Sequence, residues 1–176
     1  MQADFSITDC PPGDNNDDLR GYRYDAGFLG VSRYHDDISI QVLEHPVLTE
    51  ETDGLSIKLR ITQLVEQGTL LAGPDDKRYR LAAPLTLPLA LDGLGARASL
   101  SMFQTCPDFP TVHAVAGTLR LDRLSLAVDP EDTGHDERVE GTLTASIARG
   151  SPMQMVGDLR SDFSFDVPRR PLMTFQ

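Results

Sequence analysis

Seven stretches of the chain alternate apolar and polar residues at a period of two, and this alternation constrains the fold more than any other feature. They are "ISIQVLE" (38–44), "LSIKLRITQLV" (55–65), "LTLPLAL" (85–91), "RASLSMF" (97–103), "GTLRLDRLSLAV" (117–128), "VEGTLTASIA" (139–148) and "DLRSDFSFDV" (158–167). Successive side chains on an extended strand point to opposite faces, so each stretch has one face to bury and one to leave in water. Turn clusters such as "TEETDG", "AGPDD", "LDGLG" and "RGSP" separate them. Strands spaced this way predict an all-β fold, an antiparallel β-sandwich or flattened barrel of about seven to nine strands. No amphipathic helix longer than about two turns stands out.

Two irregularities sharpen the expectation. Pro88 lies inside "LTLPLAL", and proline cannot donate to a ladder, so this segment is expected at an edge or a bulge. In "LRLDRLSLAV" the leucine parity slips between Leu121 and Leu124, which calls for a bulge near Asp122 and Arg123 to keep the leucines inside. The same parity places Leu119, Leu121, Leu143, Ile147, Phe163 and Phe165 in one shared core. "GTLRLDRL", "GTLTASIA" and "GDLRSDFS", opening at Gly117, Gly141 and Gly157, read as consecutive strands of a meander, since their unequal spacing is no repeat period.

Hydrophobic residues make up 40% of the chain, aromatics 6%, and tryptophan is absent, so the core must be built from Leu, Val and Ile. The net charge of −11 argues against nucleic acid, whose phosphates recruit Lys and Arg clusters, and against anionic lipid surfaces. Residues 1–53 hold 12 acidic and 3 basic side chains, the remainder 15 and 13. The reading is therefore an irregular acidic N-terminal arm over residues 1–36, packed on a β-sandwich domain over residues 37–176. Within the arm, "DFSIT" is a candidate short strand and "YRYDAGFLGVSRYH" an irregular or short-strand segment laid over the core.

Cys10 and Cys106 each precede a proline in a turn-rich context, "DCPPGDNN" and "TCPDFP". Matched exposed contexts of this kind suit one disulfide in an exported protein better than two cytosolic thiols. Closing so long a loop removes unfolded-chain entropy worth about 4–5 kcal/mol. No stretch approaches the roughly 18 apolar residues of a transmembrane helix. "MQADFSITDC" lacks the basic and apolar regions of a leader, so export to the periplasm, the outer-membrane surface or the extracellular space presupposes that a leader or lipid anchor segment was removed.

The terminal pattern, "VEGTLTASIA" followed by "GDLRSDFSFDVPRRP", resembles the closing hairpins of exported or lipid-anchored β-sandwich proteins of unknown function from Gram-negative envelopes. The resemblance covers the last third of the chain. It implies a fold class and a compartment, and no activity.

The motifs of catalysis are poorly represented. No Gly-x-Ser-x-Gly elbow occurs; "GVSRY" around Ser32 lacks the second glycine. His35 is followed by Asp36 and Asp37, but neighbours on a strand face opposite ways. His35, His45, His113 and His135 show no HExxH or CxxC spacing, and "AGFLG" and "LDGLG" lack the strand-to-helix setting of a phosphate loop. Calcium has the better pattern: "DNNDDLRGYRYD" offers Asp14, Asn16, Asp18 and Asp25 at positions 1, 3, 5 and 12 of a twelve-residue loop, the alternating hard oxygens that Ca²⁺ takes. Leu19 stands where the sharp turn wants glycine, so a looser calcium loop and a solvated acidic loop are the two readings. "DPEDTGHDE" (129–137) carries five carboxylates and one histidine and reads as the polar tip of a hairpin, a mixture that suits neither calcium nor structural zinc.

These features predict a non-enzymatic exported β-sandwich that works as a structural, assembly or protein-binding module, through a protein partner or self-assembly. The alternative is a calcium-stabilised ligand- or glycan-binding module, with Tyr22, Tyr24, Phe28 and Tyr34 as stacking residues for a sugar ring.

Overall fold

The computed structural model of the chain describes residues 2–7, 20–25, 28–44, 53–72, 78–91, 95–103, 111–127 and 137–167. Among them are twelve strands and one short helix: β1 (Gln2–Ile7), β2 (Arg20–Asp25), β3 (Phe28–Tyr34), β4 (Asp37–Leu43), β5 (Gly54–Arg60), α1 (Ile61–Glu66), β6 (Leu70–Ala72), β7 (Arg78–Leu81), β8 (Leu85–Pro88), β9 (Arg97–Ser101), β10 (Thr111–Ala127), β11 (Glu137–Arg149) and β12 (Gln154–Val167). All strands join one sheet whose main path runs β2-β1-β12-β11-β10-β9-β5-β4-β3, with β7 and β8 paired to β10 and β6 to β7. The path does not close. It curls until β3, its last strand, lies within 8 Å of β12, Cα to Cα.

The fold is thus all-β, of the sandwich or flattened-barrel kind that the alternation predicts. One contiguous core fills the curl, with Ile38, Ile40 and Val42 of β4, Leu55, Ile57 and Leu59 of β5, and Leu100 of β9 all buried. Each such side chain contributes about 1.5–3 kcal/mol by leaving water. The strand count exceeds seven to nine because β6 and β7 are too short to alternate visibly, and because the acidic N-terminal third is not simply an irregular arm. "DFSIT" lies in β1, which pairs with β12 from Gln2↔Asp162 to Ile7↔Gly157, and "YRYDAGFLGVSRYH" supplies parts of β2 and β3, which pair with β1 and β4.

β10 is the strand on which the rest is arranged. On one side it pairs with β11. On the other it meets β9 through Thr111–His113, β8 through Thr118–Leu121 and β7 through Ser125–Ala127. Its buried residues are Val112, Ala114, Leu119, Leu121, Leu124 and Leu126, a series whose parity changes twice. Both changes coincide with register shifts, between Ala114 and Ala116 and between Leu121 and Arg123. The second is the bulge that the leucine slip requires. The first is followed by Gly117, whose φ of 133° suits glycine alone.

Other expectations hold in detail. Leu119, Leu121, Leu143, Ile147 and Phe163 are all buried in the one core; the side chain of Phe165 lies outside the described residues. β10, β11 and β12 form the meander that the three glycine-led segments suggest. Pro88 ends β8, a short strand whose one ladder among the described residues is with β10.

One segment departs from the alternation. Residues 61–65 continue the strand pattern on paper but form α1, with Ile61 and Leu64 buried at the i, i+3 spacing of one helix face. The cause is remote in sequence. Asp36, in the β3–β4 turn, accepts the Ile61 N–H on its carbonyl at 2.8 Å and the Thr62 N–H on Oδ1 at 2.7 Å, satisfying donors that the first turn of a helix leaves open. Thr69 closes the other end, donating from Oγ1 to the Leu64 carbonyl at 2.8 Å. Among the described residues no helix is long and apolar enough to cross a membrane.

Candidate functional site

The outer face of the sheet is laced with polar pairs. Arg120 Nε meets Asp122 Oδ1 at 2.8 Å, Arg123 Nε meets Glu140 Oε2 at 3.5 Å, and Arg160 Nε meets Asp162 Oδ2 at 3.8 Å. A shallow groove of about 280 Å³ is lined by Asp122, Glu140 and Asp162, but each of these carboxylates already faces an arginine. Among the described residues no three His, Cys, Asp or Glu side chains are grouped to hold a metal ion.

At the corner where β7, β10 and β11 run side by side arginines from all three strands gather. Ser125 stands opposite Arg80 on β7 and opposite Arg138 on β11, so the three residues form one row across three strands. Arg123, two residues before Ser125 and therefore on the same face, is 72% exposed. Arg78, two residues before Arg80 on β7 and therefore on the same face, is 7% exposed. It donates from Nε to Ser125 Oγ at 2.9 Å and from Nη2 to the Ser125 carbonyl at 3.3 Å. An open cleft of about 400 Å³ lies at this corner, lined by Arg80, Arg123 and Arg138 together with Ser125 and Asp122. Leu81, Ala83 and Pro84 give it an apolar flank.

What the cleft can do chemically follows from its donors. Guanidinium groups are always charged and present a planar fork that matches carboxylate and phosphate oxygens. Three of them line the cleft together with Asp122; among the described residues Asp122 is held by Arg120 and Arg123 faces Glu140. The diffuse −11 of the whole chain opposes an arriving anion only weakly, because exposed charges beyond about 8 Å are largely screened at physiological salt.

The site residues expected from sequence lie elsewhere. Cys10, Cys106, Asp14, Asn16 and Asp18 are outside the described residues, as are residues 129–136 of the acidic tip. Asp25 ends β2 opposite Gln2; Glu137 opens β11 opposite Val167. Tyr22 and Tyr24 lie on β2 and Phe28 and Tyr34 on β3, at opposite ends of the strand path. His35 occupies the β3–β4 turn at φ 53° and is exposed, while its neighbour Asp36 caps α1. The arginine cleft was not among the sequence candidates. Its traces are "KRYR", "RLDR" and "ERVE", ordinary charged alternation until strand order brings them together.

No family model matches the chain, and comparison with curated proteins and with solved structures gives no significant match.

Proposed function

We propose that the chain is a non-enzymatic binding module of the cell envelope or extracellular space, holding an anionic partner group on the outer face of its curled sheet. The observation that carries this reading is the Arg80–Ser125–Arg138 row, with Arg123 beside it, opening on a cleft of about 400 Å³ in a chain of net charge −11. Three features support recognition rather than chemistry. The cationic groups stand on paired strands, which position side chains more rigidly than loops do. The cleft falls within the size range of small-ligand sites, roughly 300–1,000 Å³. Its polar lining is three arginines, Ser125 and the Asp122 carboxylate, which pairs with Arg120. Export is supported by the matched Cys-Pro contexts of Cys10 and Cys106 and by the resemblance of the last third to envelope proteins.

The test is equilibrium binding at low ionic strength with a panel of carboxylates and phosphate esters, followed by mass analysis of the recovered ligand. Saturable binding that is lost in an Arg123→Glu, Arg138→Glu double variant, with the ligand recovered unchanged, is the expected result. Turnover of the ligand, or binding indifferent to the double variant, overturns the reading.

A further inference from the structure

We propose a second site, independent of the arginine cleft: a soft-metal site for Cu(I), with the thioethers of Met153 and Met155 and the imidazole of His113 as its three ligands. The residues meet where the β11–β12 hairpin passes β10. Ala148 on β11 stands opposite His113 on β10 and opposite Met155 on β12, so the three form one row across three strands. Met153 immediately precedes β12 and stands two residues before Met155, the spacing that returns a side chain to the same face.

The row faces outward. Val112 and Ala114, the neighbours of His113 on β10, are both buried, so His113 between them points away from the core. Met155 is 58% exposed and is followed by the buried Val156. Ala148, opposite both, turns the same way, and it is 1% exposed without belonging to the contiguous core. An outward alanine is shut off from water by groups that lie over it, and the longer side chains beside it in the row are those of His113 and Met155. Their backbones are two strand spacings, about 10 Å, apart. A histidine and a methionine leaning inward over a methyl group, with a metal ion between them, span that gap.

Both ladders slip at this place. The β10–β11 register shifts between Ala114 and Ala116, and the β11–β12 register between Ile147 and Ala148. Bulges re-aim the side chains next to them and are over-represented beside functional sites.

The ligand chemistry selects the metal. Thioether sulfur is a soft donor that favours Cu(I), and imidazole is a nitrogen donor that copper also accepts. A set of two thioethers and one imidazole gives Ca²⁺ and Mg²⁺ none of the oxygens they require and gives Zn²⁺ one good ligand. Of the three methionines among the described residues, Met102 is buried and only these two are exposed.

The experiment is anaerobic titration of the full chain with Cu(I) in competition with a chromophoric Cu(I) chelator, in ascorbate and with any thiols capped by N-ethylmaleimide. Zn²⁺ serves as the comparison, and methionine-methyl and histidine-ring NMR locates the ion. One equivalent of Cu(I) is expected to bind, moving the resonances of Met153, Met155 and His113 and leaving that of Met102 in place. Met155→Leu and, separately, His113→Gln are each expected to weaken binding at least about tenfold. Met155 is exposed and leucine matches its volume, so that variant keeps the fold. Met102→Leu leaves the affinity unchanged. Failure to compete with the chelator, or binding indifferent to Met155→Leu, overturns the site. Weakening in Met155→Leu with none in His113→Gln overturns the three-ligand arrangement, and Zn²⁺ bound as tightly as Cu(I) overturns the soft-metal assignment.

Discussion

Arg78 and Ser125, 47 residues apart in sequence, are joined twice: Arg78 reaches both the hydroxyl and the carbonyl of Ser125 while remaining 7% exposed. The pair ties β7 to β10 through side chains as well as through the ladder. Ser125→Ala removes the acceptor of the Nε–H from a buried charged donor, and is expected to lower stability by about 1–3 kcal/mol. Urea denaturation of the variant measures it. A midpoint equal to that of the wild type would show that Arg78 does not depend on the hydroxyl.

Gly117 and Gly141 are expected to tolerate no side chain. A Cβ at Gly117 would meet the Thr144 carbonyl, and one at Gly141 the Arg120 carbonyl, with Phe163 and Leu121 crowding the latter. The obstacles are backbone, and at Gly117 the positive φ adds strain. Either Ala variant should lose at least about 1–3 kcal/mol, read from thermal unfolding.

Phe163 lies opposite Gly141 in the register, and Gly141 opposite Leu121. The ring therefore covers the space that the glycine leaves. At 2% exposure, Phe163→Ala is expected to cost about 3–5 kcal/mol. A loss under about 1 kcal/mol would mean that this face of β12 is not packed against the core.

Ser161 is the converse case, a fully buried residue whose hydroxyl has no hydrogen-bond partner among the described residues. Its neighbours along the inward face of β12 are Leu159 and Phe163, both buried. Ser161→Ala should raise stability by about 1 kcal/mol, since it removes an unsatisfied buried polar group at little loss of volume. Destabilisation in the same urea assay would reveal a partner for the hydroxyl.

Asp36→Ala should fray α1. The carboxylate receives the Thr62 N–H at 2.7 Å and the Thr62 hydroxyl at 2.5 Å, so its loss is expected to cost about 0.5–2 kcal/mol, as loss of a helix cap does. Amide exchange at Thr62 should quicken, with that at buried β5 residues unchanged.

The strands and the core phase were legible because burial of every second residue is written locally. The slip between Leu121 and Leu124 revealed the bulge for the same reason: a chain that must keep both leucines inside has to place an extra residue between them. α1 was not legible, because "RITQLV" fits strand parity through Ile61 and helical spacing through Ile61 and Leu64 alike. Asp36, 26 residues earlier than Thr62, decides between them. The arginine cleft was hidden more deeply still. Arg80 meets Ser125 only once β7 is known to lie beside β10, and nothing in a four-residue strand declares its neighbour.

The pairing of β1 with β12 has a consequence for how such a chain is made. Gln2 takes its place opposite Asp162, so β1 must wait for a strand that is synthesised much later. Until then β1 has only β2 as a partner, and an isolated two-stranded ribbon is marginally stable in water. A growing chain therefore carries an uncovered strand edge, the kind that invites mispairing, until β12 has been made. The strands farthest apart in sequence are neighbours in the sheet, and their pairing is the last that the order of synthesis allows.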